Sequence, residues 1–292
     1  RQLNVRQNVR EDQFFVPNIE SLCEIKLKFA IVASPAPFHA DHTIPLILSG
    51  TPVLVEKPAA TKVSDISRMI QASKSSNTPV AVGYCLRYLE SLNYMKSLLQ
   101  SGICGNIYNV SIEVGQYLPS WRPNVDYRHT VSAQKILGGG ALNELSHEID
   151  YAQYLFGELK IINSNLRSSK DLFLDVEDLV DIVATNDDGI LCNIHLDFLQ
   201  KKATRFCKVI GTNCTIYWDL IENKIFKLDP NGKCLLFSSV KDGDPNQKYV
   251  NMILDFFNLI NNKNNNCISL QDSYRVLKFI TDAKKLSGEA KY

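Results

Sequence analysis

Two short stretches of this sequence carry residue types that can move protons. The first is VLVEKPAA, residues 53–60. Val53, Leu54 and Val55 read as a short buried strand. Pro58 cannot extend that strand as a ladder donor, so the chain turns there. Glu56 and Lys57 therefore stand at a strand's C-terminal end, the edge of an open α/β sheet at which ligands bind. A lysine there can donate a proton or fix a sugar hydroxyl through its ammonium; taken alone, the triplet reads more simply as a solvated pair at a turn. The second stretch places Asn143, His147, Asp150 and Tyr154 at i, i+4, i+7 and i+11, with Glu144 three residues before His147. At that spacing they share one helix face. An imidazole with a carboxylate on each side suits a general base held in one tautomer. Most histidines are instead satisfied by local hydrogen bonds, but Gly138, Gly139 and Gly140 just ahead let backbone come close to a ligand.

The elements that must position these residues follow from the apolar pattern. KFAIVA, residues 28–33, is a continuous apolar strand, and Ser34-Pro35-Ala36-Pro37 a turn. A helix over 39–49 ends at Gly50, and the strand at 53–55 completes a βαβ unit with parallel strands. A helix over 64–75 with Ser64 as its N-cap, a strand over 80–83 and a helix over 88–101 continue the alternation. Residues 25–102 thus read as a doubly wound sheet. After Gly105 the rhythm changes to a strand over 106–116, a polar and aromatic loop over 119–137, and one helix over 141–156. Strands follow near 160–166, 178–186, 189–198, 204–210, 214–218, 224–228 and 233–238, with turn signals at 187–189 and 211–213. That is a mostly antiparallel sheet, closed by helices near 246–262 and 270–286. The expected division is an incomplete Rossmann-type domain over 1–104 and a substrate and oligomerisation domain over 105–292, with the last helices packing back on the first.

Composition narrows the function classes. Of 292 residues, 45% are hydrophobic and 22% charged, ordinary for a globular protein with a large core. A net charge of +1 gives no electrostatic case for nucleic acid or an anionic membrane. No apolar run approaches a membrane span, and the first residues carry no secretory apolar core. The eight cysteines form no C-x-x-C pair, so no metal site is expected and buried reduced thiols in a cytoplasmic protein are.

The runs ASPAPFHADHTIPLILSGTPVLVEKPAA (33–60), VAVGYCLRY (80–88) and GGGALNELSHEIDYAQYLFG (138–157) together resemble the glucose–fructose oxidoreductase/inositol dehydrogenase (Gfo/Idh/MocA) family. The match in order and spacing runs from about residue 20 to the C-terminus. The resemblance implies a Rossmann domain followed by an α/β domain on an open antiparallel sheet, with hydride moved between NAD or NADP and a sugar or cyclitol carbon. It implies that Lys57 binds substrate and supports proton transfer, and that His147 is the general acid/base. Ser34, Pro35, His39, Glu56 and Lys57 would line the cofactor, with Tyr84 and Arg87 near its nicotinamide end. Asn143, Glu144 and Asp150 would stand beside the substrate. Trp121, Arg122, Tyr127 and Arg128 would form a substrate loop, arginine and aromatics suiting a sugar or its phosphate.

Three departures bear on this. The family's G-x-G-x-x-G turn, which cradles a pyrophosphate on a helix N-terminus, is missing, and the chain begins at Arg1, so it reads as N-terminally incomplete and is expected to bind dinucleotide weakly. Cys85 stands where family members carry asparagine. Asn143 stands where they often carry aspartate, with Glu144 next to it. The alternative is a non-catalytic sugar or dinucleotide sensor on the same fold. Strands at 178–210 have apolar residues on both alternations (Leu179, Val180, Ile182, Val183; Ile190, Leu191, Ile194, Leu196, Phe198), so a homodimer or homotetramer through the C-terminal sheet is expected.

Overall fold

The computed structural model describes residues 15–288. Residues 1–14, the start of the expected first domain, lie outside that range. Helix α1 (Ile19–Cys23) leads into strand β1 (Ala30–Val32). Helix α2 (His39–Leu48), β2 (Val53–Val55), α3 (Val63–Ser76) and β3 (Val80–Val82) follow. The three strands form a parallel sheet in the order β1-β2-β3, in register at Ala30, Val53 and Val80. All three β2 residues are buried, as an unalternated apolar run requires of a strand covered on both faces. Helix α3 starts one residue before Ser64, and Lys62 at its N-cap makes no side-chain cap, so Ser64 is not the cap the sequence suggested. Asn77, left-handed at φ 51°, ends that helix.

A 3-10 turn at Cys85–Tyr88 precedes α4 (Glu90–Gln100), which is shorter than the single helix expected over 88–101. The chain then enters an eight-stranded sheet through β4 (Ile107–Gly115). The 119–137 segment winds through four short 3-10 turns, from Leu118–Ser120 to Lys135–Leu137. The helix expected over 141–156 is two: α5 (Ala141–Glu144) and α6 (His147–Phe156), broken at Leu145 and Ser146. The remaining strands are β5 (Lys160–Arg167), β6 (Leu179–Thr185), β7 (Leu191–Asp197), β8 (Thr204–Gly211), β9 (Thr215–Asp219), β10 (Lys224–Asp229) and β11 (Gly232–Ser238). Their order is β11-β10-β9-β8-β4-β7-β6-β5. Within this sheet, among the described residues, only β4 and β7 pair in parallel.

One alternation of this sheet is core: Val110, Ile112, Val180, Ile182, Ile194, Leu196, Val209 and Trp218 are all buried, and Tyr151 of α6 meets Trp218 edge-on at 5.4 Å. The other alternation is half-exposed and mixed, with Leu179, Val183 and Leu191 interrupted by Asp181, Asn193 and His195. It is therefore less apolar than the sequence suggested, and Phe198 belongs to the core side. Helices α7 (Gln247–Ile260) and α8 (Leu270–Leu286) return to the first sheet. Met252 and Phe256 of α7 pack on Leu54, Ala81 and Cys85. Val82 N–H donates to the Ile268 carbonyl at 2.9 Å, tying the lead-in of α8 to β3. Five cysteines are buried, while Cys23 and Cys267 are half-buried and Cys234 is exposed.

Candidate active site

The C-terminal ends of β2 and β3 bring Glu56, Lys57 and Gly83 together. Gly83 leaves room that a side chain would fill, since a Cβ there would lie 3.0 Å from Glu56 Oε2. Burial pushes the Glu56 carboxyl up, against its hydrogen bond from the Lys57 N–H and the pull of the Lys57 charge. The Lys57–Pro58 peptide is cis.

The Lys57 ammonium reaches the end of α5 and donates to the Glu144 carbonyl at 2.8 Å. The helix break explains why that carbonyl is free. In an unbroken α-helix it would accept from the Glu148 N–H; here Glu148 N–H turns to the Leu145 carbonyl at 3.3 Å. The break thus makes a docking point for Lys57 and starts α6 at His147. His147 packs edge-on against the Tyr84 ring at 5.6 Å. Its Nδ1 is buried without a hydrogen-bond partner. Burial drives its pKa well below the usual 6.5, and the cations Lys57, Arg205 and Lys248 push the same way. His147 is therefore a neutral imidazole at neutral pH.

The two carboxylates expected to flank His147 face elsewhere. Glu144 accepts the Ser132 hydroxyl at 2.9 Å. Asp150, 1% exposed, takes a bidentate pair from Arg87 at 2.9 and 2.7 Å. Burial raises the Asp150 carboxyl to about 6 despite that pairing. This pair locks the Cys85–Tyr88 turn to α6, so Arg87 and Asp150 act as structure rather than as open cofactor and substrate contacts. Tyr84 is fully buried; its hydroxyl points at Ser146 and Ser273 without reaching hydrogen-bond geometry, so it supports His147 from behind rather than facing a cofactor.

His39 also departs from its expected place. It is 1% exposed and clamps two turns, Nε2 to the Ser34 carbonyl at 2.6 Å and Nδ1 to the Pro58 carbonyl at 2.9 Å. It holds the Lys57 turn without lining an open surface. Ser34, half-buried beside Pro35, meets His42 Nδ1 at 2.9 Å. Trp121, Arg122 and Tyr127 line one small hollow that reaches Ser132, and so touches the residue that holds Glu144. Tyr127 donates to the Leu172 carbonyl at 3.2 Å. Arg128 is spent on Asp126 at the surface. Asn143 donates to the Gly138 and Gly139 carbonyls at 2.9 and 3.2 Å and accepts from Lys284.

The sequence did not reveal the pair behind His147. Glu148, wholly buried, accepts from Arg205 Nε at 2.7 Å and Nη2 at 3.0 Å. Nor did it reveal Lys248 and Tyr249 at the start of α7, whose groups act on His147 and Cys85. Glu148 beside His147 was the one available hint; its partner comes from β8, with no local signal. A dinucleotide fits this edge at its nicotinamide end: Ser34, Pro35, Glu56 and Lys57 stand at the strand ends where such cofactors lie, and Gly83 leaves beside Glu56 the space that a Cβ would fill. Among the described residues no glycine-rich turn of the pyrophosphate-binding kind precedes β1.

Two family models match the chain. An oxidoreductase family model with an NAD-binding Rossmann fold matches residues 2–84, and the GFO/IDH/MocA C-terminal domain matches residues 92–217. An uncharacterised oxidoreductase of Synechocystis is 29% identical over 148 residues, 50% of this chain and 39% of its own length. The glucose-6-phosphate 3-dehydrogenase of Bacillus subtilis is 27% identical over 172 residues, 56% of this chain and 49% of its own length. The chain thus spans about half or less of these two curated relatives. A levoglucosan dehydrogenase solved in complex with NADH superposes with a TM-score of 0.80 at 19% identity, over 93% of this chain and 81% of that one, a likeness of fold.

Proposed function

The chain belongs to the Gfo/Idh/MocA oxidoreductase family, and we propose that it transfers hydride between NAD or NADP and a carbon of a sugar, sugar nucleotide or cyclitol. The observation that carries the proposal is Lys57 docked on the Glu144 carbonyl, three residues before a neutral His147 imidazole that feels its charge, neither of them paired with a carboxylate among the described residues. The nicotinamide, when bound, supplies the hydride acceptor or donor. Ser34, Pro35, Glu56 and Lys57 would hold it at the strand ends.

The protein's own part is proton handling. With Nδ1 sealed in the interior, His147 exchanges its proton through Nε2, taking it from the substrate hydroxyl on oxidation and returning it on reduction. Lys57 polarises the same oxygen with its ammonium. The buried Arg205–Glu148 pair and the Tyr84 ring fix the imidazole from behind. Trp121, Arg122 and Tyr127, on the hollow that ends at Ser132, would contact the sugar through Glu144 and its neighbours.

The test is a screen for sugar-dependent reduction of NAD and NADP, followed by Lys57→Ala and His147→Ala. Each variant should cut turnover by roughly 10²–10⁴-fold while the fold persists; near-normal turnover in either removes its assigned role. The turning of Asn143 toward glycine carbonyls favours one rival, a sensor that binds sugar without turning it over. Sugar binding by calorimetry with no dinucleotide reduction across the screen would establish that rival.

A further inference from the structure

A cavity of about 970 Å³ lies between the two domains, one wall carried by Thr61 and Lys62 after the Lys57 turn, the other by Gly138 and Asn143, with Lys284 and Lys285 at the end of α8 closing it. We propose that this cavity holds a phosphate or carboxylate carried by the substrate, with Lys284 as its main partner. The proposal rests on the hydride-transfer reading only in calling the ligand a substrate.

Lys284 is the reason. The Lys284 side chain is half-buried, and its ammonium donates to the neutral Asn143 Oδ1 at 3.2 Å. The ammonium has three N–H donors, of which this bond uses one, and among the described residues no carboxylate lies within ion-pair distance. Burial lowers its pKa, Glu177 opposes this, and Lys135 adds to it. A desolvated cation left this way costs free energy that an incoming anion offsets.

The surrounding charge agrees. Lys62, Lys135 and Lys285 line the same space. Two acids, Asp175 and Glu177, line it as well and keep their charge, but they are outnumbered by Lys62, Lys135, Lys284 and Lys285; each also accepts a backbone N–H, Glu177 Oε1 from Leu142 at 3.1 Å and Asp175 from Lys135 at 2.8 Å. Gly138 permits the close approach of the domains, since a Cβ there would meet Thr61 Cγ2 at 2.9 Å. The volume suits a small ligand, such sites running from about 300 to 1,000 Å³. Position links the cavity to the chemistry. Asn143, which binds Lys284, precedes Glu144, whose carbonyl receives Lys57, and stands four residues before His147. An anion held at Lys284 would anchor a sugar whose ring extends toward the proton-transfer pair.

Calorimetric titration with glucose 6-phosphate, glucuronate, glucose and inorganic phosphate tests this on the chain itself, without turnover. Glucose 6-phosphate or glucuronate should bind at least about tenfold tighter than glucose, weakening with salt. Lys284→Gln should abolish that preference and Lys284→Arg should retain it, with the urea midpoint of each variant confirming the fold. Equal binding of charged and neutral sugars, or a preference unchanged in Lys284→Gln, overturns the site. Inorganic phosphate binding as tightly as glucose 6-phosphate overturns the substrate assignment, the anion then being a separate ion. Sugar phosphate bound through Lys284 with no dinucleotide reduction would sink the proposed activity and leave the anion site standing.

Discussion

Replacing Glu148 by Gln removes the charge, but little of the volume, from the pair that backs His147. Glu148 is 0% exposed and the Arg205 side chain 18%, with two hydrogen bonds of 2.7 and 3.0 Å between them. At an effective dielectric near 20, unit charges about 4 Å apart attract by roughly 4 kcal/mol. Burial works against the pair, pushing the Glu148 carboxyl up, so its net worth is smaller than that attraction. Breaking it on one side is another matter, because a guanidinium is then left buried without a counter-charge, at a cost of about 3–5 kcal/mol. With a urea slope of about 3 kcal/mol/M, the midpoint should fall by roughly 1–1.7 M. Arg205→Met should cost less at pH 5 than at pH 8, each compared with the unaltered chain. A carboxyl whose folded pKa is raised contributes stability at low pH and loses it as pH rises through that pKa. The double variant should be more stable than the sum of the singles implies. Urea unfolding followed by fluorescence of the buried Trp218 reads all of this. A midpoint shift under about 0.3 M for Glu148→Gln, or strict additivity in the double variant, would refute the reasoning.

Two further outcomes are expected. The folded His147 pKa lies well below 6.5, so its contribution to stability is present above about pH 6.5 and is lost as pH falls through the folded value. The acid limb of kcat/KM should accordingly sit below pH 6.5 and move up in Arg205→Met, and a limb at or above 6.5 in the unaltered chain contradicts the assignment. The half-exposed face of the large sheet, where Phe206 stacks on Tyr217 at 5.4 Å, should pair with a second copy of the chain. Light scattering at micromolar concentration should give a dimer or tetramer, and a strictly monomeric mass counts against it.

The sequence was legible where local chemistry decides. The apolar run 53–55 followed by Pro58 put Lys57 at a strand end, and the closing helix expected near 270–286 is α8 with both its ends. It was illegible where partners come from far along the chain. No glycine or proline marks the break at Leu145 and Ser146, because it is the Lys57 ammonium, 87 residues away, that takes up the freed carbonyl. The spacing of Glu144, His147 and Asp150 was right for one helix face, but Ser132 and Arg87 claim the two carboxylates. The family resemblance put His39 at the cofactor, and only tertiary contact shows both ring nitrogens on backbone carbonyls. Lys284 lies 141 residues from Asn143, beyond any spacing argument.

The return of the last helices to the first sheet has a consequence for how the protein is made. Leu54, Ala81 and Cys85 gain their apolar cover from Met252 and Phe256 of α7, and β3 gains a backbone partner at Ile268. Ribosomes extend chains at about 5–20 residues per second, so the interval from Cys85 to Met252 takes roughly 8–35 s. Throughout that time the nascent three-stranded sheet carries an uncovered apolar face, with the strands of the large sheet emerging in between. The large sheet can therefore complete its strands while the face of β2 and β3 is still uncovered, and a holdase that shields that face has its greatest effect in that window.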